Sequence, residues 1–147
     1  MKEDKYMENK SYDYLRKVNY YETDKMGITH HSNYIRWMEE ARIAFLNHYN
    51  CGLAKFEAYG VVSPVLEVNC QYKHTTAFED EIRINVSIEK YTGVKLKFKY
   101  IMMNIKTDTI VLVGESEHCF LDENNIPIII RKKFPEFDSI LKGLTIV

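Results

Sequence analysis

Residues 20–42 read YYETDKMGITHHSNYIRWMEEAR, and the rest of the chain is organised around them. The first half of this stretch gathers Asp24, His30, His31 and Asn33 around one glycine, Gly27. In the second half the spacing changes. Tyr34, Met38, Ala41, Phe45 and Tyr49 fall on one helical stripe, broadened by Ile35, Trp37 and Leu46. Ser32 or Asn33 is expected to cap this helix and Asn50-Cys51-Gly52 to stop it, giving about four turns. A carboxylate and imidazoles just ahead of a helix N-terminus are placed for chemistry on a carbonyl or an anion. That end of a helix offers unpaired backbone N–H donors and a partial positive charge.

Working outward, residues 1–12 are polar and charged and read as a leader. Residues 14–20 (YLRKVNY) predict a first strand, and 21–27 a loop whose glycine takes positive φ. After the helix, 53–59 predict a short second helix, and from Gly60 onward strand follows strand. Residues 61–72 set Leu66, Val68, Cys70 and Tyr72 against Glu67, Asn69 and Gln71. Residues 81–90 alternate Ile82, Ile84, Val86 and Ile88 with Arg83, Asn85, Ser87 and Glu89. Residues 94–103 oppose Val94, Leu96, Phe98, Tyr100 and Met102 to three lysines, and 110–121 form the last long strand. This period of two means antiparallel strands with one buried face, joined by hairpins at 91–93 and 106–109. A turn at 122–125, an extended piece from Pro127 and a closing helix at 134–144 complete the chain, 132–147 being the C-terminal helix and tail.

With no repeat or linker, one α+β domain over 1–147 is expected: a five-stranded antiparallel sheet curled around one long helix, in the order β-α-β-β-β-β. One helix covers only part of one face of five strands. The open edge and face call for a second copy of the chain, so a homo-oligomer is expected.

The chain has 147 residues, enough to bury roughly 70% of its unfolded surface. A net charge of −1 provides no basic field for nucleic acid. No apolar run reaches the ~20 residues that span a membrane, and the N-terminus lacks a signal-peptide core. Cys51, Cys70 and Cys119 show no CxxC spacing. Cys70 and Cys119 fall in strand-like runs and read as buried free thiols, which points to the cytoplasm.

There is no GxGxxG or Walker loop. Gly114-Glu115-Ser116-Glu117-His118 begins like a nucleophile elbow but lacks the second glycine and sits within a strand. Adjacent His30 and His31 do not share a face as HExxH ligands do, so no metal is expected. Lys95, Lys97 and Lys99, like 131–133, read as a solvated face, with contact to a phosphate-bearing ligand as the sharper reading. His48, His74 and His118 read as surface or half-buried histidines, and Glu39 and Glu40 as helix-surface partners of Arg36 or Arg42.

The spaced residues Tyr21-Glu22-Thr23-Asp24-Lys25-Met26-Gly27, His31-Ser32-Asn33-Tyr34 and Glu40-Ala41-Arg42 resemble the hallmark of one family. It is that of the hotdog-fold acyl-CoA thioesterases of the 4-hydroxybenzoyl-CoA thioesterase type. The run GESEHCFLDENNIP at 114–127 is similar to the family's last strand and turn, and the resemblance covers about 15–134.

The resemblance implies hydrolysis of acyl-CoA, or sometimes of acyl carrier protein thioesters, without a cofactor, at sites between two subunits of a homodimer or homotetramer. Asp24 matches the catalytic aspartate, acting as nucleophile or as the base that activates water. His31 stands where relatives carry histidine or tyrosine at the helix start. Its N–H is expected to hold the oxyanion, and its ring to orient substrate or Asp24. Tyr20 matches an assisting tyrosine of some members. His30 replaces an aromatic residue and is expected to form a pocket wall. No coenzyme-binding residue carries over. From the residues alone, Asp24 reads first as a turn former beside Gly27. The rival functions are a hotdog protein that binds acyl-CoA without cleaving it, and a hotdog dehydratase, whose signature is missing.

Overall fold

The computed structural model describes residues 10–146, so positions 1–9 of the expected leader, and Val147, lie outside the described residues. β1 (Ser11–Lys17) begins earlier than expected and takes in Ser11 and Tyr12 of that leader. Tyr12 and Tyr14 pack against the core while Asp13 and Leu15 face outward, so the alternation runs through the whole YDY segment. The strand also stops earlier. Residues Tyr20–Glu22 form a 3-10 turn, because the Glu22 carboxylate takes the Asn19 N–H (2.8 Å) and draws the chain over.

α1 (Ser32–His48) and α2 (Leu53–Ala58) follow. The strands are β2 (Val65–Tyr72), β3 (Glu81–Tyr91), β4 (Lys95–Asn104) and β5 (Thr109–Cys119), with α3 (Ile130–Lys133) and α4 (Pro135–Leu144) at the end. The five strands form one sheet in the order β1-β3-β4-β5-β2, every neighbouring pair antiparallel. β2 starts at Val65 rather than at 61, since Pro64 has no N–H for a ladder. The C-terminal helical region begins at Ile130 and is pinned by stacking of Phe56 on Phe137 (4.4 Å) and by the Tyr91 hydroxyl donating to Asp138 (2.6 Å).

The sheet rolls around α1. Ile82, Ile84, Val86 and Ile88 of β3 and Leu96, Phe98, Tyr100 and Met102 of β4 are buried against Trp37, Met38, Ala41 and Phe45. Ile35 lies off this stripe and is exposed. At Gly114 a Cβ would sit 2.9 Å from the Asn69 carbonyl oxygen and 3.4 Å from Met38 Cε, so a bare glycine lets β2 and α1 close on β5.

On the outer face Lys97 pairs with Glu115 (3.1 Å) and Lys95 with Glu117 (3.4 Å), the solvated-face reading of these lysines. β2 is an edge strand, and its expected inner face is only partly covered: Val68 and Cys70 pack on the core, while Leu66 and Tyr72 are about half exposed. The three cysteines are free, and the fully buried one is Cys51 in the turn after α1, not those in the strands. Among the described residues no helix is long and apolar enough to cross a membrane.

Candidate active site

The Asp24 loop is a tight reversal. The Asp24 N–H donates to the Ile28 carbonyl (2.9 Å) and the Gly27 N–H to the Asp24 carbonyl (3.0 Å), with Gly27 at φ +78°. Asp24 Oδ1 accepts the Met26 N–H (2.8 Å), the bond expected of a turn aspartate. Oδ2 accepts no bond among the described residues. One carboxylate oxygen therefore builds the turn and leaves the other available.

Behind the loop stands Glu22, which is 4% exposed. Its Oε1 accepts Arg16 Nη1 (2.6 Å) and the Asn19 N–H (2.8 Å), and its Oε2 accepts Trp37 Nε1 (2.7 Å). Burial pushes this carboxyl up, but the bonds from Arg16, Trp37 and Asn19 outweigh it and hold its pKa below the ordinary value. The Glu22 carbonyl accepts the His30 N–H and the Asn33 side-chain amide, both at 2.8 Å. Arg16 Nε also reaches Glu40 (3.2 Å), which accepts the Tyr14 hydroxyl (2.8 Å). Glu40 thus pairs with β1, not with Arg36 or Arg42 of its own helix.

Neither expected cap acts as one. Ser32 is already the first helical residue, and Asn33 spends its side chain on Glu22. His30 takes the role instead: its Nδ1 accepts the Ser32 N–H (3.2 Å) and bonds Ser32 Oγ (2.8 Å), which assigns the proton of the neutral ring to Nε2. His31 occupies the N-cap position without a side-chain bond, and its own N–H donates to no acceptor among the described residues.

Two depressions flank this helix end. A wide one of about 690 Å³ is lined by Tyr20, Asp24, Lys25, His30, Ser32 and Arg36, among others. A second, of about 210 Å³, is lined by Ile28, His31, Tyr34, Tyr72 and His74, among others. The stacked rings of His30 and His31 (4.4 Å apart) stand between them. Asp24 and Tyr20 thus come together with His30, while the His31 ring lines the neighbouring depression. Tyr20 is 75% exposed, its ring edge-on to Phe78.

Glu22 stands in the hallmark, but its buried bonds to Arg16, Asn19 and Trp37 had no local signal, since these partners come from three separate segments. His118 sits elsewhere and is fully buried rather than half-buried: its Nε2 bonds Ser116 Oγ (2.8 Å), which bonds the Tyr100 hydroxyl (2.7 Å). Burial, with the nearby charge of Arg42, pushes its pKa down to about 4. Among the described residues no cluster of His, Cys, Asp or Glu is placed to hold a metal ion.

A five-stranded antiparallel sheet rolled around one long helix is the hotdog architecture, shared with solved structures of thioester hydrolases. Residues 18–142 match the thioesterase-like superfamily, and the chain belongs to that family. It is 34% identical over 122 residues to the Bacillus subtilis (strain 168) protein named "Putative acyl-CoA thioesterase YneP", covering 83% of this chain and 88% of that one. It is 26% identical over 101 residues to the Escherichia coli acyl-CoA thioester hydrolase YbgC, covering 69% of this chain and 73% of the other. Among solved structures, the DHNA-CoA thioesterase from Staphylococcus aureus superposes with a TM-score of 0.87 at 27% identity, covering 91% and 90% of the two chains.

Proposed function

We propose that the protein hydrolyses acyl-CoA thioesters to the free acid and coenzyme A, with Asp24 as nucleophile or general base and the N-terminus of α1 as the oxyanion site. The observation that carries this reading is the Asp24 carboxylate. One oxygen is fixed by the Met26 N–H, and the other is unbonded in a depression at the start of a helix. Attack on the thioester carbonyl, directly or by an activated water, places negative charge on the carbonyl oxygen. The unpaired His31 N–H and the helix dipole would stabilise that charge. A thiolate leaves without strong acid assistance, so a carboxylate and oriented N–H donors suffice. Tyr20, beside Asp24, assists by contacting the substrate from the rim.

The Asp24 depression is wide and shallow, and β2 offers an unpaired edge with Val65, Leu66 and Tyr72 about half exposed. A second copy of the chain would cover that edge and wall the site, so the working form is read as a homodimer or a homotetramer. Three free thiols fit a reducing, cytoplasmic setting.

The test is release of free thiol from a panel of acyl-CoA substrates running from acetyl to stearoyl and including aromatic acyl groups. The tyrosines around both depressions, and the substrate named for the Staphylococcus aureus neighbour, place aromatic acyl groups first in the panel. Turnover of at least one substrate is expected. Binding of acyl-CoA by calorimetry with no thiol released would identify a sensor instead, and turnover confined to acyl carrier protein would move the carrier assignment.

A further inference from the structure

In the C-terminal half of α1, Arg42 is a half-buried cation with no carboxylate beside it among the described residues. Arg42 Nη1 donates to the hydroxyl of the fully buried Tyr100 (3.2 Å), while Arg42 itself is half-buried. Among the described residues no carboxylate lies within 4.0 Å of it. Beyond Tyr100 the bonded chain runs through Ser116 to His118, and both are buried. With the His118 imidazole neutral at pH 7, Arg42 is the charge of this group. A guanidinium carries five N–H donors, and Tyr100 takes one.

Beside Arg42 is a largely enclosed cavity of about 50 Å³ whose other walls include Leu46, Phe56, Phe98, Phe120 and Leu141. The cavity thus sets a guanidinium with donors beyond the one Tyr100 takes beside an apolar void, which is unfavourable when empty. An anion with a small apolar body fits both.

We propose that this cavity binds a short aliphatic carboxylate, its carboxylate on the Arg42 guanidinium and its alkyl end among Phe56, Phe98, Phe120 and Leu141. One water needs about 10–15 Å³ of such volume, so the cavity takes a molecule of roughly two to four carbons and rejects longer chains. Arg42 lies about 15 Å along α1 from Ser32, at 1.5 Å per residue, so the site is separate from the Asp24 depression. If the protein is the thioester hydrolase proposed above, the ligand belongs to the chemical class of its product. Binding itself does not depend on that reading.

The experiment is calorimetric titration of wild type, Arg42→Gln and Asp24→Asn with acetate, propionate, butyrate and octanoate, with chloride and 1-butanol as controls. Saturable binding of propionate or butyrate to wild type and Asp24→Asn is expected, with Kd on the order of 1 mM and at least about tenfold weaker in Arg42→Gln. Octanoate, chloride and butanol should not saturate. Leu141→Phe, which fills the cavity and keeps the guanidinium, should lose binding as well and covers the case of an Arg42 variant that does not fold. No saturable binding to wild type, or unchanged binding in both cavity variants, overturns the proposal. So does binding lost in Asp24→Asn alone, which would place the carboxylate in the catalytic depression.

Discussion

His118 should make the stability of this fold depend on pH in a way that one substitution removes. In the unfolded chain its imidazole titrates near 6.5, whereas in the folded chain burial and the charge of Arg42 hold it at about 4. Between those two values the unfolded chain carries a proton that the folded chain does not. The folded state therefore loses stability as pH falls from about 6.5 towards 4, and above 6.5 the effect is flat. The difference of 6.5 minus about 4, at ~1.4 kcal/mol per pH unit, corresponds to a loss of about 3 kcal/mol across the window. Against a typical total of roughly 5–15 kcal/mol this is large. Carboxylates such as Glu22 titrate in the same direction, so the informative quantity is the gap between wild type and His118→Gln. Urea unfolding at fixed protein concentration, followed by the fluorescence of the single, buried Trp37, measures it from pH 7.5 to 4.5. The gap should shrink by about 2–3 kcal/mol over that range. Parallel stability curves for the two proteins would refute the reasoning, because they would mean that the imidazole titrates alike in both states.

Three further outcomes are expected. Glu22→Gln breaks a buried pair with Arg16 and should cost about 3 kcal/mol in urea unfolding at pH 7; a loss under ~0.5 kcal/mol would show that the Glu22 bonds do not hold the loop. Gly114→Ala places a methyl 2.9 Å from the Asn69 carbonyl oxygen and should destabilise by about 1–3 kcal/mol, seen as a lower Tm; an unchanged Tm would mean that β2 shifts freely. Sedimentation should give a dimer or a tetramer at micromolar concentration, and Leu66→Lys at the β2 edge should shift it towards monomer; a monomeric wild type contradicts a shared site.

The parts of the fold that were readable in advance are those fixed by local periodicity. The helix stripe of α1 and the alternation of β3 and β4 each repeat often enough to settle element type and buried face. The end of β1 is not legible locally because it is set by Glu22 reaching Arg16, Asn19 and Trp37, partners that no local window joins. β2 carried an inward pattern that its edge position leaves half exposed. His118 carries a signal in the alternation of β5: with Glu115 and Glu117 facing out, Ser116 and His118 must face in.

At the candidate site, the sequence reads Asp24 as either a turn former or a catalytic group. The geometry removes that opposition, since turn formation uses Oδ1 and chemistry would use Oδ2. His30 and His31, indistinguishable as neighbours in sequence, are separated by the turn into the helix. One ring caps α1 within the Asp24 depression, and the other lines a second hollow.

The central claim is that Asp24 does the chemistry, and its most direct test is Asp24→Asn on the best acyl-CoA of the panel. The substitution keeps a side-chain oxygen for the Met26 N–H and so preserves the turn, while removing the carboxylate charge. With far-UV circular dichroism unchanged, kcat should fall at least about a hundredfold with little change in KM. Equal kcat for wild type and the folded variant would contradict the account.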